Sequence, residues 1–284
     1  MNKKPIQARR PRSRLALAGA LAGLTALTAG CGMGSSAGEA MGRAIADGIA
    51  CGIARCLPSK DIASADLLAS LEVRSDGRNL RAMGGFSNGK FLGGVVLEGG
   101  DALYASSSIH PRVRLSGSSA GLNWEAQLAG VPPDRQVRME FVRADGSTFT
   151  GSGLLPPPFQ VLAPTQYVVT LSTAGAPVDL VVDMPASEAL ASRANGKCAS
   201  GRVFSLGGVI GTPQAHASGS VYRLDPAQLA KDIFGSEVVR NTQCSMSLEL
   251  LRRDVSGQIS PGLRQSSEFV TSHVQQLQVE LSTN

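Results

Sequence analysis

Leu122-Asn123-Trp124-Glu125-Ala126-Gln127-Leu128 alternates apolar and polar side chains. Val137-Arg138-Met139-Glu140-Phe141 repeats the alternation and runs into an Asp145-Gly146 turn. A period of two puts every second side chain on one face, which is the mark of a strand with one face in a core. The pattern spreads outward from here. Leu67, Ala69, Leu71 and Val73 alternate, and Asp76-Gly77 turns into Leu80 and Ala82. Asn88-Gly89 turns into Phe91 to Leu97, Gly99-Gly100-Asp101 leads to a strand near Leu103, and Val113 and Leu115 mark another. Asp-Gly and Asn-Gly supply the positive φ angles of tight hairpins. Turn signals at roughly eight- to twelve-residue spacing predict an all-β sandwich.

Leu155-Pro156-Pro157-Pro158-Phe159 interrupts the alternation. Three prolines in a row donate nothing to a ladder and stiffen the chain toward polyproline II, so a domain joint is expected there. Alternation resumes at Tyr167, Val169 and Leu171, then at Val178 to Met184, Met246 to Leu250 and Leu277 to Leu281, which fits a second sandwich. Within this half, Asp225-Pro226, Leu229, Ile233 and Gly235 supply an N-cap, a first-turn proline, an apolar pair and a stop, predicting a short helix near 226–234.

The net charge of +5 suggests a polyanion binder, but its distribution does not. Six of the 27 basic residues precede Cys31, where there is no acidic residue, leaving 21 basic against 22 acidic beyond it. With 12 aromatics in 284 residues, stacking platforms for single-stranded nucleic acid are not expected, and no nucleic-acid partner is assigned.

Residues 1–14 are polybasic, Leu15 to Ala29 is an apolar run, and Leu27-Thr28-Ala29-Gly30-Cys31 follows. This reads as a secretory leader, shorter than the roughly 20 residues of a membrane-spanning helix. The segment resembles a bacterial lipoprotein signal, although the leucine stands one place earlier than usual. The resemblance implies cleavage before Cys31, lipidation of that cysteine, anchoring in the membrane and, with Gly32 next, delivery to the outer membrane. Ordinary cleavage with release to the periplasm is the alternative. A Gly/Ser tether, Gly32 to Gly38, then leads to a segment in which Met41, Ile45, Ile49 and Ile53 recur at helical spacing.

Cys51, Cys56, Cys198 and Cys244 remain, an even number for an oxidising compartment. Three connectivities are open. The favoured one pairs Cys51 with Cys56 across a small loop at the helix end and Cys198 with Cys244, the latter contributing about 4 kcal/mol in the chain-entropy model. The C-x4-C spacing differs from the CxxC pairs of structural zinc sites, so no metal site is assigned.

The expected fold is therefore all-β: a signal peptide over 1–30, a tether and short N-terminal helix over 31–61, a first sandwich over 62–155 and a second over 159–284. The strand ending Phe141 to Gly146, the joint Leu155 to Phe159, the strand Leu180 to Pro185, Cys198 and the Cys244 to Arg252 strand resemble a group of uncharacterised proteobacterial secreted proteins and lipoproteins with tandem Ig-like β-sandwich domains. The resemblance covers roughly residues 120–284 and implies fold and compartment, with no activity to transfer. The Ser/Gly-rich stretch Ala186 to Gln243 departs from it and is expected to contribute loops.

No convincing catalytic constellation stands out. G-x-S-x-G occurs around Ser87 and Ser119, but a chain this rich in Gly and Ser produces such matches by chance, and the elbow needs a helix after the serine where hairpin and strand signals stand. His110, His216 and His273 lack metal-ligand spacing and are expected to be solvated or to cap. Asp179 and Asp183 lie roughly 13 Å apart along a strand, too far for paired acid/base work, and are assigned to edge solubility. Trp124 falls on an inward alternation and reads as core. Arg112, Arg114, Arg135, Arg138 and Arg143 read as mixed-charge surface. The expectation is a membrane-anchored, non-enzymatic envelope protein without a cofactor, binding a protein or polymer or acting as a spacer. The competing expectation is a hydrolase or metal enzyme whose site is assembled from residues distant in sequence, such as His216, Asp225 and a serine.

Overall fold

The computed structural model describes residues 56–88, 94–117, 122–166, 168–235, 237 and 240–283. The leader, Cys31, the expected helix before Arg55, Cys51, Ser119 and the Gly89 turn lie outside them.

Twenty strands and one α-helix occur among the described residues. They are β1 (Leu57–Pro58), β2 (Leu68–Ser75), β3 (Asn79–Ser87), β4 (Val95–Val96), β5 (Ala102–Ser107), β6 (Val113–Arg114), β7 (Ser116–Gly117), β8 (Asn123–Ala129), β9 (Gln136–Val142) and β10 (Thr148–Leu154). There follow β11 (Val161–Ala163), β12 (Val168–Ser172), β13 (Val178–Val182), β14 (Ala191–Cys198), β15 (Val203–Gly207), β16 (Gln214–His216), β17 (Gly219–Leu224), α1 (Pro226–Phe234), β18 (Thr242–Asp254), β19 (Gln258–Ile259) and β20 (Glu268–Thr283).

In the first half, β2, β3, β8 and β7 pair in that order and face the sheet β10-β9-β5-β6. This is the A-B-E-D against G-F-C-C′ order of an immunoglobulin sandwich. Leu71, Leu80 and Trp124 from one sheet and Leu103, Met139 and Phe141 from the other fill its core. Phe86 and Phe141, on the two strands that carry the disulfide in antibody domains, meet across the sheets with ring centroids 4.5 Å apart. Aromatic packing takes the cross-sheet position here.

The second half repeats the order. Strands β11, β13, β17 and β16 form one sheet, and β20, β18, β14 and β15 lie in the other, with β12 parallel to β20. Its core gathers Leu180, Val182, Tyr222, Met246, Leu248, Val279 and the helix residues Leu229, Ile233 and Phe234. The Asp225-Pro226 signal forms α1: the Asp225 carboxylate accepts from the Ala227 and Gln228 amides, and Gly235 ends the helix at φ 67°. The chain is all-β, two Ig-like sandwiches.

Two arrangements differ from the sequence reading. The stretch 186–243, expected as loops around the short helix, also contains the strands β14 to β17. Its central strand carries no apolar alternation because its inward positions are small. A Cβ on Gly196 would lie 2.6 Å from both Met246 Cβ and Phe204 Cζ, so those side chains supply the bulk that β14 lacks. Tyr222, buried in β17, then fixes the approach to β14, accepting from Leu190 N (3.0 Å) and donating to Glu188 O (3.1 Å).

The second difference is the course of the last strand. Strand β20 is 16 residues long, and its end Gln278–Ser282 pairs with β12 of the second sandwich. Its beginning, Glu268–His273, pairs in parallel with Ser70–Ser75 of β2 in the first. Strand β18 accompanies it from Asp254↔Thr271 to Thr242↔Thr283, and β19 pairs with β10. Residues 258–273 thus belong by pairing to the first sandwich, and one nine-stranded sheet runs through both.

Candidate functional site

The feature that distinguishes this chain from two beads on a linker is the joint built where β20 crosses between the cores. Strand β20 enters the first sandwich with Phe269, 1% exposed and part of that core. Two glycines of β10 make room for it: a Cβ on Gly151 would stand 2.5 Å from the Phe269 ring, and one on Gly153 3.1 Å. Leu155 lies in the first core and Phe159 in the second, so the proline segment spans the gap.

That segment offers carbonyls but, at its prolines, no N–H groups, and the β18–β20 pair supplies donors. Thr271 Oγ1 donates to Leu154 O (2.5 Å), Arg252 Nη1 to Pro157 O (3.2 Å) and Gln275 Nε2 to Phe159 O (3.0 Å). Arg252 is also ion-paired with Glu188 at 2.5 Å. Polar side chains thus stand at the middle of β20 because the linker needs hydrogen-bond partners.

His273 sits at the same point, 2% exposed, opposite Ser75 of β2 and Arg252 of β18. Its ring meets Phe159 edge-on at 5.5 Å. Gln275 Nε2 lies 3.3 Å from His273 Nε2. An amide nitrogen can only donate, and the bond to Phe159 O fixes which end of the amide is nitrogen, so the ring accepts and is neutral. Burial pushes the imidazole below its ordinary value of 6.5; Asp76 and Asp183 pull the other way and Arg252 reinforces the shift.

Across the outer face of the joint, Arg74 of β2 binds Glu72 through Nε and Nη2 at 2.9 Å each and approaches Glu249 of β18 at 3.4 Å. Burial lowers the Arg74 pKa, but the hydrogen bond and charge of Glu72, with Glu249, outweigh it and leave the value raised. Ser272 Oγ of β20 donates to Glu72 as well (3.3 Å). The cluster ties β2 of one sandwich to β18 of the other.

The residues singled out in the sequence are dispersed. Cys198 and Cys244 form the favoured disulfide; they lie directly opposite each other on β14 and β18, with Cα atoms 3.8 Å apart. It therefore braces neighbouring strands of one sheet. Cys56 is disulfide-bonded as well; the pairing expected for it with Cys51 lies outside the described residues. Ser87 ends β3. His110 bonds Ser107 Oγ (2.8 Å) and Ala129 O (2.7 Å) in a turn. His216 bonds Ser218 in the β16–β17 hairpin (2.9 Å), while Asp225, at the far end of β17, caps α1; six residue steps along β17, about 20 Å, separate Gly219 opposite His216 from Asp225. His273, expected to be solvated or capping, is instead enclosed by the joint.

Asp179 is on β13, an interior strand rather than an edge, and pairs with Arg223 at 3.1 Å. Asp183 accepts from Gln160 N (2.6 Å). Trp124 is 7% exposed and packs edge-on to Phe86. Arg112 and Arg138 share Glu140. Arg143 is no mere surface charge. With Asp101 behind it at 3.4 Å, it donates to Ile62 O and Ser59 O, holding the turns at Ser59–Asp61 and Ser64–Asp66 onto the sandwich. Among the described residues, no group of three or more His, Cys, Asp or Glu side chains is placed to hold a metal ion.

No protein-family model and no curated protein matches this chain. It is similar to the solved structure of the IG1 and IG2 domains of DIP-gamma, at 9% identity over 77% of this chain and 98% of that one, with a TM-score of 0.22. It is similar also to the FN1–FN3 domains of chicken CNTN1 (7% identity, 75% and 66% coverage, TM-score 0.19). The titin domains z1z2, solved in complex with telethonin, match at 10% identity, 78% and 96% coverage and TM-score 0.19. Similarity at this level carries no functional argument, and the assignment to Ig-like sandwiches rests on the strand order itself.

Proposed function

We propose that this protein is a non-enzymatic scaffold of the bacterial envelope, anchored through lipid on Cys31 in the outer membrane. Its two Ig-like sandwiches act as a stiff arm that holds out the strands and loops of the second for a protein or polymer partner. The observation that carries the reading is the shared sheet: β20 is built into both sandwiches, a device that serves to hold two domains in fixed relation. The dispersal of the reactive side chains agrees with it, because each histidine and aspartate singled out in the sequence has a local structural partner. No described helix is long and apolar enough to cross a membrane. The attachment proposed, from the leader sequence, is lipid on its cysteine.

Intact mass of the protein from detergent-solubilised envelopes, with and without reduction, tests the anchor. A mature chain beginning at Cys31 with added acyl mass, absent from Cys31→Ser, is expected, together with the mass gain of two reduced disulfides. An unlipidated chain would remove the anchor and direct the search for partners to the periplasm.

A further inference from the structure

Strand β15 closes one end of the nine-stranded sheet. Cys198 N donates to Arg202 O and Gly208 N to Ser192 O, and the register between them sets Gly196 against Phe204 and Ala194 against Leu206. The even-numbered residues therefore turn their backbone groups to β14, while Val203, Ser205 and Gly207 turn N–H and C=O to the open edge. The same three residues are exposed, and Val203, at 74%, is the most exposed large apolar side chain among the described residues. The strand has no charge, proline or bulge, the devices that normally blunt an edge. Other edges are less suited. Strands β6, β7 and β19 have two residues each, β16 has three, β11 carries a register shift, and in β12 the Ser172 carbonyl already accepts from Gly175 N.

We propose that β15 pairs antiparallel with β15 of a second copy of this chain about a two-fold axis at Ser205, joining the two large sheets into one. About that axis Ser205 opposes Ser205 and Val203 opposes Gly207. Each opposed pair exchanges two N–H···O bonds through groups that face the edge. Gly207, lacking a Cβ, leaves space beside the Val203 isopropyl group, and Arg202 faces Gly208 rather than a like charge. The occupant is a second copy because in this register the strand's own residues fit one another, Gly207 beside Val203 and no like charges opposed, and an isologous contact of this kind closes at the dimer. The contact is the pairing of one five-residue strand, far smaller than the interface of a permanent dimer, so the dimer is reversible. It does not depend on the lipid anchor.

The test is sedimentation of the full detergent-solubilised chain over a concentration series, with oxidative cross-linking of Ser205→Cys. A concentration-dependent dimer is expected, with covalent dimer from Ser205→Cys and none from Gln127→Cys, which lies on an exposed face of β8. Val203→Lys and Ser205→Pro, the latter removing an edge-facing N–H and none of the bonds to β14, are expected to weaken the dimer at least tenfold at unchanged circular dichroism. A monomer throughout the series, no Ser205→Cys cross-link, or dimers unaffected by both edge substitutions would overturn the proposal.

Discussion

Around His273, Asp76, Asp183 and Arg252 supply the charges, while Gln275 and Phe159 supply the direct contacts. Because the folded imidazole titrates below 6.5, the unfolded chain binds its proton first as pH falls. The stability contributed by the neutral ring is complete above about pH 6.5 and is lost as pH drops from there toward the folded pKa. Urea midpoints measured at pH 7.5 and pH 5.5 are expected to fall in the wild type and to fall by less in His273→Gln. Equal falls would show that another group sets the slope. At the same scale, alternation alone marks His273 as one more strand residue. Its burial comes from β2, β18 and the proline segment, all brought to it by the fold.

Individual elements are legible in proportion to how much of their own stability signal they carry. Helix α1 has its cap, first-turn proline, apolar pair and stop within eleven residues of sequence, and it forms where those residues stand. Strands β8 and β9 bury large side chains at alternating positions and are readable from that alone. Strand β14 is not, because its inward Ser192, Ala194 and Gly196 leave the volume to Phe204 and Met246. The beginning of β20 hides its partner for a related reason: Thr271, Ser272 and His273 break the apolar alternation, and the parallel pairing to β2 joins residues about 200 apart, leaving no local mark. Phe269 is the apolar residue by which this element enters the first core. Phe269→Ala is expected to cost about 3–5 kcal/mol, since the surrounding Gly151, Gly153 and Gly257 have no side chains with which to fill the cavity. A loss below about 1 kcal/mol in denaturant titration would mean that β20 is not anchored there.

On the scale of the whole molecule, fold class and the position of the linker follow from hydrophobic period and prolines, whereas the coupling of the sandwiches does not. Proline-rich linkers ordinarily act as semi-rigid spacers between independent domains. Here Thr271 bonds the last carbonyl of β10 and Arg252 and Gln275 bond carbonyls of the linker, and a strand crosses beside them, so the two cores are held by one sheet. No reactive constellation is legible in the sequence, and the site-like feature that emerges, the joint, is made of contacts between residues far apart in the chain. The most direct measurement is the distance distribution between spin labels on Gln127→Cys in the first sandwich and Lys197→Cys in the second, by pulsed electron resonance on the full chain diluted into excess unlabelled protein so that only pairs within one molecule are read. A shared sheet predicts one narrow peak, unchanged by moderate salt. A broad or multimodal distribution, as for two domains on a hinge, would contradict it.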